Sequence, residues 1–191
     1  MNTPLLSFVV IIISMLQIQQ SSCQQDSKIN KPLLPFAVGN EWIYSDSVFT
    51  DGSFSSVKND TDRIVSRSTF EGNPTFTFSD GRELLLKGDS LFQLVRQRTG
   101  LKFPTPVFFP VETETTFNYA FGGDVMKQQT VSKMKACPEN SWNASNCYLV
   151  TDGCNGEKIF GNGTGVIWEK KTDCSSKDYS VRTLIKMKII R

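Results

Sequence analysis

The stretch that decides the fold is Ser180-Val-Arg-Thr-Leu-Ile-Lys-Met-Lys-Ile189, close to the carboxyl end of the chain. Two sets of side chains alternate along it: Val181, Thr183, Ile185, Met187 and Ile189, and between them Ser180, Arg182, Leu184, Lys186 and Lys188. A period of two residues is that of a β-strand with one buried and one solvated face. The stretch therefore predicts a strand that buries the first set, and one-sided burial is typical of antiparallel sheets.

Turn-forming residues divide the rest of the chain into short runs. Pairs such as Asp-Gly at 51 and 52, Asp-Gly at 80 and 81 and Gly-Gly at 122 and 123 recur about every ten residues. The runs between them predict strands over 41–49, 63–70, 75–78, 83–87, 91–98, 115–121, 125–135 and 165–171, and no run has a sustained helical period. We expect an all-β or β-rich fold with little helix, a single antiparallel meander curled into a half-barrel or barrel. A β-sandwich is the alternative.

The amino-terminal segment predicts export. Residues 5–16 are a twelve-residue apolar run, which suits a signal peptide and is shorter than the roughly 20 residues of a membrane span. The small residues Ser21 and Ser22 precede Cys23, and two interpretations stay open. Cys23 is the lipid-bearing cysteine of a bacterial lipoprotein, which would attach the chain to a membrane, or an ordinary peptidase cuts nearby and the protein is secreted. We therefore divide the chain into a signal peptide (1–22), a tether (23–34) and one β-rich domain (35–191).

The cysteines support an oxidising destination. Without Cys23, four remain within a short carboxyl-terminal region: Cys137, Cys147, Cys154 and Cys174. An even number in an exported chain suggests two disulfides, for which three pairings are possible. We favour Cys137 with Cys147 and Cys154 with Cys174. No Cys-x-x-Cys pair is present, so a zinc site is not expected.

Composition excludes several classes of function. The chain has 191 residues, a formal net charge of +2 and no histidine. That charge is too small to predict binding to nucleic acid. Without histidine, the commonest general base near neutral pH and the commonest ligand for transition metals are missing. We expect no catalytic residue, no cofactor and no metal site.

Aromatic residues make a faint internal repeat at an offset of 75 residues. Pro35, Phe36, Trp42 and Tyr44 correspond to Pro110, Val111, Phe117 and Tyr119. Either the domain contains a duplication, or both segments are strands that follow a proline and bury aromatic side chains on one face.

Three segments carry a family resemblance: Leu-Pro-Phe-Ala-Val-Gly-Asn-Glu-Trp-Ile-Tyr at 34–44, Phe-Phe-Pro-Val-Glu-Thr at 108–113 and Phe-Gly-Asn-Gly-Thr-Gly-Val-Ile at 160–167. The chain resembles uncharacterised exported bacterial β-rich lipoproteins, which are distantly similar to periplasmic lipoprotein-carrier half-barrels. The resemblance implies a β-rich, half-barrel domain and no activity. The chain departs from the pattern in its second copy, where Glu114 and Phe117 replace the Gly and Trp, and in its cysteine-rich last third.

Three aromatic residues are candidates for binding a ligand. Phe108 and Phe109 end the proline-rich apolar segment 101–110 and point opposite ways in an extended chain. They would form the mouth of an apolar pocket, or the segment would cross and cap the open end of the sheet. Trp142 lies in the polar loop between Cys137 and Cys147 and would stack on a carbohydrate. Asp60 and Asp62 are two residues apart and would point the same way from a strand.

These observations favour a non-catalytic envelope protein that binds an apolar or carbohydrate ligand through aromatic residues. As a lipoprotein it would lie in the periplasm, at the outer membrane or on the cell surface; otherwise it would be secreted. The sequence leaves its oligomeric state open. Two other functions remain: a carboxylate-dependent hydrolase of extracellular polysaccharide, and a structural surface protein.

Overall fold

The computed structural model describes residues 34–121, 125–139, 141–142, 144–172 and 174–190. The described residues belong to one structural unit, Lys31–Arg191. The predicted signal peptide, Cys23 and the tether up to residue 33 lie outside the described residues. In the part of the chain that is described, no helix is long and apolar enough to cross a membrane.

Short β-strands account for almost all of the described secondary structure. They are β1 (Glu41–Thr50), β2 (Ser53–Phe70), β3 (Asn73–Phe78), β4 (Glu83–Lys87), β5 (Ser90–Arg96), β6 (Lys102–Phe108), β7 (Thr115–Phe121), β8 (Val125–Lys133), β9 (Cys147–Thr151), β10 (Gly156–Gly161), β11 (Gly165–Thr172) and β12 (Tyr179–Lys188), with one turn of 3₁₀ helix at Gly153–Asn155.

The strands form one antiparallel sheet in the order β6-β5-β4-β3-β2-β1-β12-β11-β10-β9-β8-β7. Each hairpin pairs sequence neighbours, and the pairing of β1 with β12 joins the two ends of the chain. The sheet curls into a nearly closed barrel whose two edges are β6 and β7. The predicted antiparallel meander, curled into a barrel, is confirmed, and the chain does not adopt the alternative sandwich.

The predicted orientation of β12 is wrong. Leu184 lies in the core with 3% of its surface exposed, whereas Ile185 is 45% exposed. Along β1, Ile43 faces Lys186 and the next residue, Tyr44, faces Leu184, so Ile185 is the extra residue of a β-bulge. A bulge changes which alternate residues point inward. Arg182 and Leu184 therefore face the interior before the bulge, and Met187 packs against the core after it.

The proline-rich segment 101–110 also differs from the expectation. We considered a segment that caps the open end of the sheet; instead, most of it forms the edge strand β6. Pro104 and Pro106 face Leu94 and Phe92 of β5. Proline lacks an N–H group and is tolerated in a sheet mainly at an edge, which is the position that β6 occupies.

Two of the three sequence segments that carry the family resemblance, 34–44 and 160–167, meet at one end of the barrel. The Trp42 indole N–H donates to the Thr164 carbonyl at 2.7 Å. Gly165 has φ +93°, and a Cβ at this position would lie 2.1 Å from a methyl carbon of Leu34. Asn40, almost fully buried, accepts a hydrogen bond from the Ile190 N–H at 2.8 Å. These motif residues therefore have a structural role, which is to fasten the first strand to the last two.

The repeat of aromatic residues falls on corresponding strands of two six-stranded halves. Trp42 and Tyr44 lie on β1, and Phe117 and Tyr119 lie on β7, the first strands of the halves β1–β6 and β7–β12. Tyr44 and Tyr119 both face the barrel interior. A duplication is consistent with this arrangement.

The apolar core fills the same end of the barrel as Trp42. Its buried members come from strands around the whole barrel: Leu34, Trp42, Tyr44, Ile64, Phe76, Phe78, Leu84, Leu91, Phe108, Val131, Tyr148, Val150, Phe160 and Leu184. Phe108 stacks on Phe160 with ring centroids 4.7 Å apart, which links β6 to β10 across the interior.

Two disulfides stabilise the carboxyl-terminal half. Cys137 pairs with Cys147 and Cys154 pairs with Cys174, which is the pairing that the sequence analysis favours. The first closes the loop that precedes β9, and the second joins the 3₁₀ turn to the connection between β11 and β12.

Candidate ligand-binding cavity

A cavity of about 480 Å³ occupies the barrel interior. One half of its wall is apolar or aromatic and continues into the core: Leu34, Trp42, Phe78, Leu84, Leu91, Pro106, Val107, Phe160 and Val166. The other half carries polar and charged side chains: Tyr44, Asp60, Asp62, Asp80, Arg82, Gln93, Thr105, Tyr119, Lys127, Gln129, Asp152, Lys158, Glu169, Lys171 and Arg182. The side chains of Asp60 and Lys171 are 50% and 65% exposed, so the charged half is the mouth.

The division of the wall into an apolar and a polar half can be followed along the inward-facing residues of individual strands. On β1, the buried Trp42 and Tyr44 precede Asp46, which lies nearer the mouth; on β10, Lys158 at the mouth precedes Phe160 in the core. Inward residues are two apart along a strand. Both strands therefore change from apolar to polar towards the mouth.

Arg182 on β12 organises one side of the mouth. Its guanidinium lies 2.7 Å from Asp60 Oδ2 and 3.3 Å from Asp62 Oδ1, and 4.0 Å from the centre of the Tyr44 ring. Arg82 also contacts Asp62, at 2.7 Å. The two aspartates that the sequence placed on one face of a strand thus share Arg182, and Asp62 binds Arg82 as well.

Opposite charges alternate across five neighbouring strands. In register, Lys58 faces Asp46, Asp46 faces Arg182, Arg182 faces Glu169 and Glu169 faces Lys158. Asp46 Oδ1 lies 3.3 Å from Arg182 Nε, and Glu169 Oε1 lies 3.9 Å from Lys158 Nζ. Burial raises the pKa of Asp46, and Arg182 opposes that rise. Cross-strand pairs of opposite charge stabilise a sheet, and here they neutralise one another inside the barrel.

Burial changes the acidity of two further groups at the mouth. Burial lowers the pKa of Lys158, against the attraction of Glu169. Burial and the nearby Asp152 carboxylate raise the pKa of Tyr119 to about 12. The Tyr119 hydroxyl donates to Asp152 Oδ1 at 3.4 Å, so it is a neutral hydrogen-bonding group at physiological pH.

Uncharged polar side chains line the opposite side of the cavity. Gln93 on β5 faces Thr105 on β6, and Gln129 lies on β8. Thr105 and Gln129 are 3% and 2% exposed. Among the described residues, no group hydrogen-bonds the Thr105 hydroxyl oxygen or the Gln129 amide oxygen.

The aromatic residues proposed from the sequence lie elsewhere. Phe108 is fully buried in the core and Phe109 packs against Phe92 and Phe117. Trp142 is 39% exposed, with φ +54°, in the disulfide-closed loop. None of the three is in the wall of this cavity, and their binding of a ligand stays a prediction.

The described residues contain no group of three or more Cys, Asp or Glu side chains that would hold a metal ion. Asp60 and Asp62, the two carboxylates on one face of β2, are bound by Arg182.

Most of the cavity residues stand in no recognisable sequence pattern. Arg182 was assigned to the solvated face of its strand, and Thr105, Gln129 and Lys158 carried no motif. The only available signal was a polar residue at alternate positions of an otherwise apolar inward face, such as Gln129 two residues before Val131.

Comparisons with known proteins give little further information. No protein-family model matches the chain, and no curated protein is significantly similar to it in sequence. A crystal structure described as that of a putative lipoprotein from Parabacteroides distasonis is similar in fold, with 10% identity and a TM-score of 0.41 over 83% of this chain and 99% of that one.

Proposed function

We propose that this protein is a non-catalytic exported protein that holds a small amphiphilic molecule inside its barrel. The observation that carries the proposal is the divided cavity, with an apolar inner half and a polar mouth. Its volume of about 480 Å³ lies within the range of 300–1,000 Å³ that is typical of small-molecule sites. The apolar part of the ligand would displace water from Leu84, Leu91 and Phe160, and its polar part would lie against the polar side chains of the wall.

The carboxylates of the mouth support binding more than hydrolysis. A glycosidase needs one carboxylic acid that is protonated and one carboxylate that is free to act. Asp60 and Asp62 are instead held by Arg182, and Glu169 lies 3.2 Å from Lys171. Each of these carboxylates already has a cationic partner and is not free to act on a substrate.

The disulfides support a destination outside the cytosol, since such bonds persist in oxidising compartments. The proposed lipid on Cys23 would attach the barrel to a membrane through the tether 23–34; cleavage without lipidation would release it. Both forms would present the same cavity.

The proposal is tested by titrating the mature protein with the uncharged apolar dye N-phenyl-1-naphthylamine and displacing the dye with octanoate, octylamine or octyl glucoside. Val107 is half-buried in the cavity wall, and V107W would fill the apolar half. We expect V107W to weaken dye binding by about 10-fold or more, a loss of about 1.4 kcal/mol.

The matched control is M126W, which adds a similar ring on β8 where Met126 is 66% exposed. M126W should bind the dye as the wild type does. Equal dye binding by V107W and M126W, or a wild type that binds none of these molecules, would contradict the proposal.

A further inference from the structure

The inner surface of the cavity differs sharply between its two sides, and the difference specifies the chemistry of the ligand. The cavity wall includes five acidic and five basic side chains: Asp60, Asp62, Asp80, Asp152 and Glu169, and Arg82, Lys127, Lys158, Lys171 and Arg182. The numbers balance, and cross-strand ion pairs join many of them. A charged ligand group would have to compete with a partner that is already in place.

On the uncharged side of the wall, two polar oxygen atoms have no partner in place among the described residues. Thr105 and Gln129 belong to the cavity wall, and the Thr105 hydroxyl oxygen and the Gln129 amide oxygen are buried and receive no hydrogen bond from any described group. A buried polar atom without a partner destabilises the folded chain. An incoming O–H or N–H group would remove that penalty at each oxygen.

The two oxygens come from different parts of the chain. Thr105 lies on the edge strand β6, and Gln129 lies on β8, separated from β6 by the other edge strand, β7. Gln93 extends the polar surface on the β5 side, because it stands directly opposite Thr105. A ligand that donates a hydrogen bond to both Thr105 and Gln129 must carry at least two donor groups, one on each side of the gap between the edge strands β6 and β7.

We propose that the ligand's polar part is uncharged and rich in hydroxyl groups, as in a glycoside with an apolar aglycone. This inference rests on the proposed function and adds the chemical class of the ligand head. The amide oxygen of Gln129 accepts a hydrogen bond from one hydroxyl. The hydroxyl of Thr105 accepts from or donates to a second, and the apolar chain lies against Leu91 and Phe160.

The test compares three ligands with the same octyl chain: n-octyl β-D-glucopyranoside, octanoate and octylamine. Their affinities are measured by calorimetry below the micelle-forming concentrations. We expect the glucoside to bind about 5-fold or more tightly than either charged compound, since two hydrogen bonds distinguish it. T105V and Q129M should each weaken glucoside binding by about 3- to 10-fold and change octanoate binding less than about 2-fold.

Thr75 provides a matched control. It is 1% exposed, and its hydroxyl also lacks a partner among the described residues. However, Thr75 and Phe76 are consecutive on β3, so their side chains lie on opposite faces of the sheet. Thr75 is not in the cavity wall. T75V should therefore leave glucoside affinity unchanged. Because valine has nearly the shape of threonine, T75V and T105V should both fold and should both be at least as stable as the wild type.

The outcomes separate this inference from the proposed function. If none of the octyl compounds binds the wild type, the proposed function fails. If all three bind equally, or if T105V and Q129M bind the glucoside as T75V does, the proposed function stands and the hydroxyl-rich head is wrong. A preference for octanoate or octylamine over the glucoside would also overturn it.

Discussion

At the scale of single residues, Arg182 has the most consequences for this protein. Its side chain is only 15% exposed, and it pairs with Asp46 on the neighbouring strand β1 and with Asp60 and Asp62 on β2, the strand beyond it. A buried ion pair is not strongly stabilising compared with apolar packing, but removing one partner leaves the other charge uncompensated. The role of Arg182 is thus to keep several inward carboxylates compatible with a folded barrel.

Replacing Arg182 by methionine should lower the free energy of unfolding by about 3 kcal/mol, because three carboxylates lose their common partner in a partly buried site. The measurement is urea unfolding at neutral pH. K171M is the control: Lys171 is 65% exposed where it meets Glu169, and exposed ion pairs contribute about 0–1 kcal/mol.

The explanation for Arg182 also predicts a rescue. Adding D46N and D60N to R182M removes two of the uncompensated charges, whereas Asp62 keeps its pairing with Arg82, and should recover part of the lost stability. A triple variant as unstable as R182M, or an R182M protein as stable as K171M, would show that the ion-pair network contributes little.

At the scale of strands, the barrel is weakest where β6 and β7 lie side by side. No ladder of backbone hydrogen bonds joins these two strands among the described residues. Aromatic contacts replace it: Phe109, which follows β6, lies 5.1 Å from Phe117 on β7 and 5.3 Å from Phe92 on β5, measured between ring centroids. The seam between β6 and β7 is therefore held by side chains.

Hydrogen exchange followed by mass spectrometry should show β6 and β7 opening at a lower free energy than β1 and β12, whose backbones are paired along most of their length. F109A should lower the opening free energy of the seam further, by about 1–3 kcal/mol. The control is F49A, since Phe49 stacks on Tyr179 at 4.4 Å on the opposite part of the sheet.

F49A should change exchange in β1, β2 and β12 and leave the seam as it is. Uniform exchange around the barrel, or equal effects of F109A and F49A on β6 and β7, would contradict the weak seam.

At the scale of the whole molecule, the barrel consists of two six-stranded meanders. The β12–β1 contact and the β6–β7 contact are equivalent positions in this arrangement. Each joins the last strand of one half to the first strand of the other. One of these contacts is a continuous antiparallel ladder and the other is the seam. The two halves thus close the barrel firmly on one side and loosely on the other, and Thr105 and Gln129 lie beside the loose side.

The export hypothesis predicts the mass of the mature protein expressed with its leader in a bacterium. We expect a chain that begins at residue 23 and that lacks four hydrogen atoms relative to the reduced form, because of two disulfides. An added mass of acyl chains that disappears in C23S would identify the lipoprotein, and its absence would identify the secreted form. A chain that retains residues 1–22 with free thiols would contradict export.

Much of the fold could be predicted from local patterns. The spacing of turn residues predicted the meander, and strands such as β4 (Glu83–Lys87) and β7 (Thr115–Phe121) have the bounds that the sequence analysis gave them. Strand alternation and turn chemistry depend on residues only a few positions apart, so one sequence displays them directly. The preferred disulfide pairing likewise joined cysteines that are near in sequence.

The cavity could not be predicted in that way. Its residues come from strands spread between residues 34 and 182, and their inward orientation depends on bulges such as the one at Ile185. A shift of one residue exchanges the two faces of a strand. The sequence by itself determined that the chain forms alternating strands, and only the tertiary structure decided which alternate residues face the interior, because that choice is made by pairing between strands.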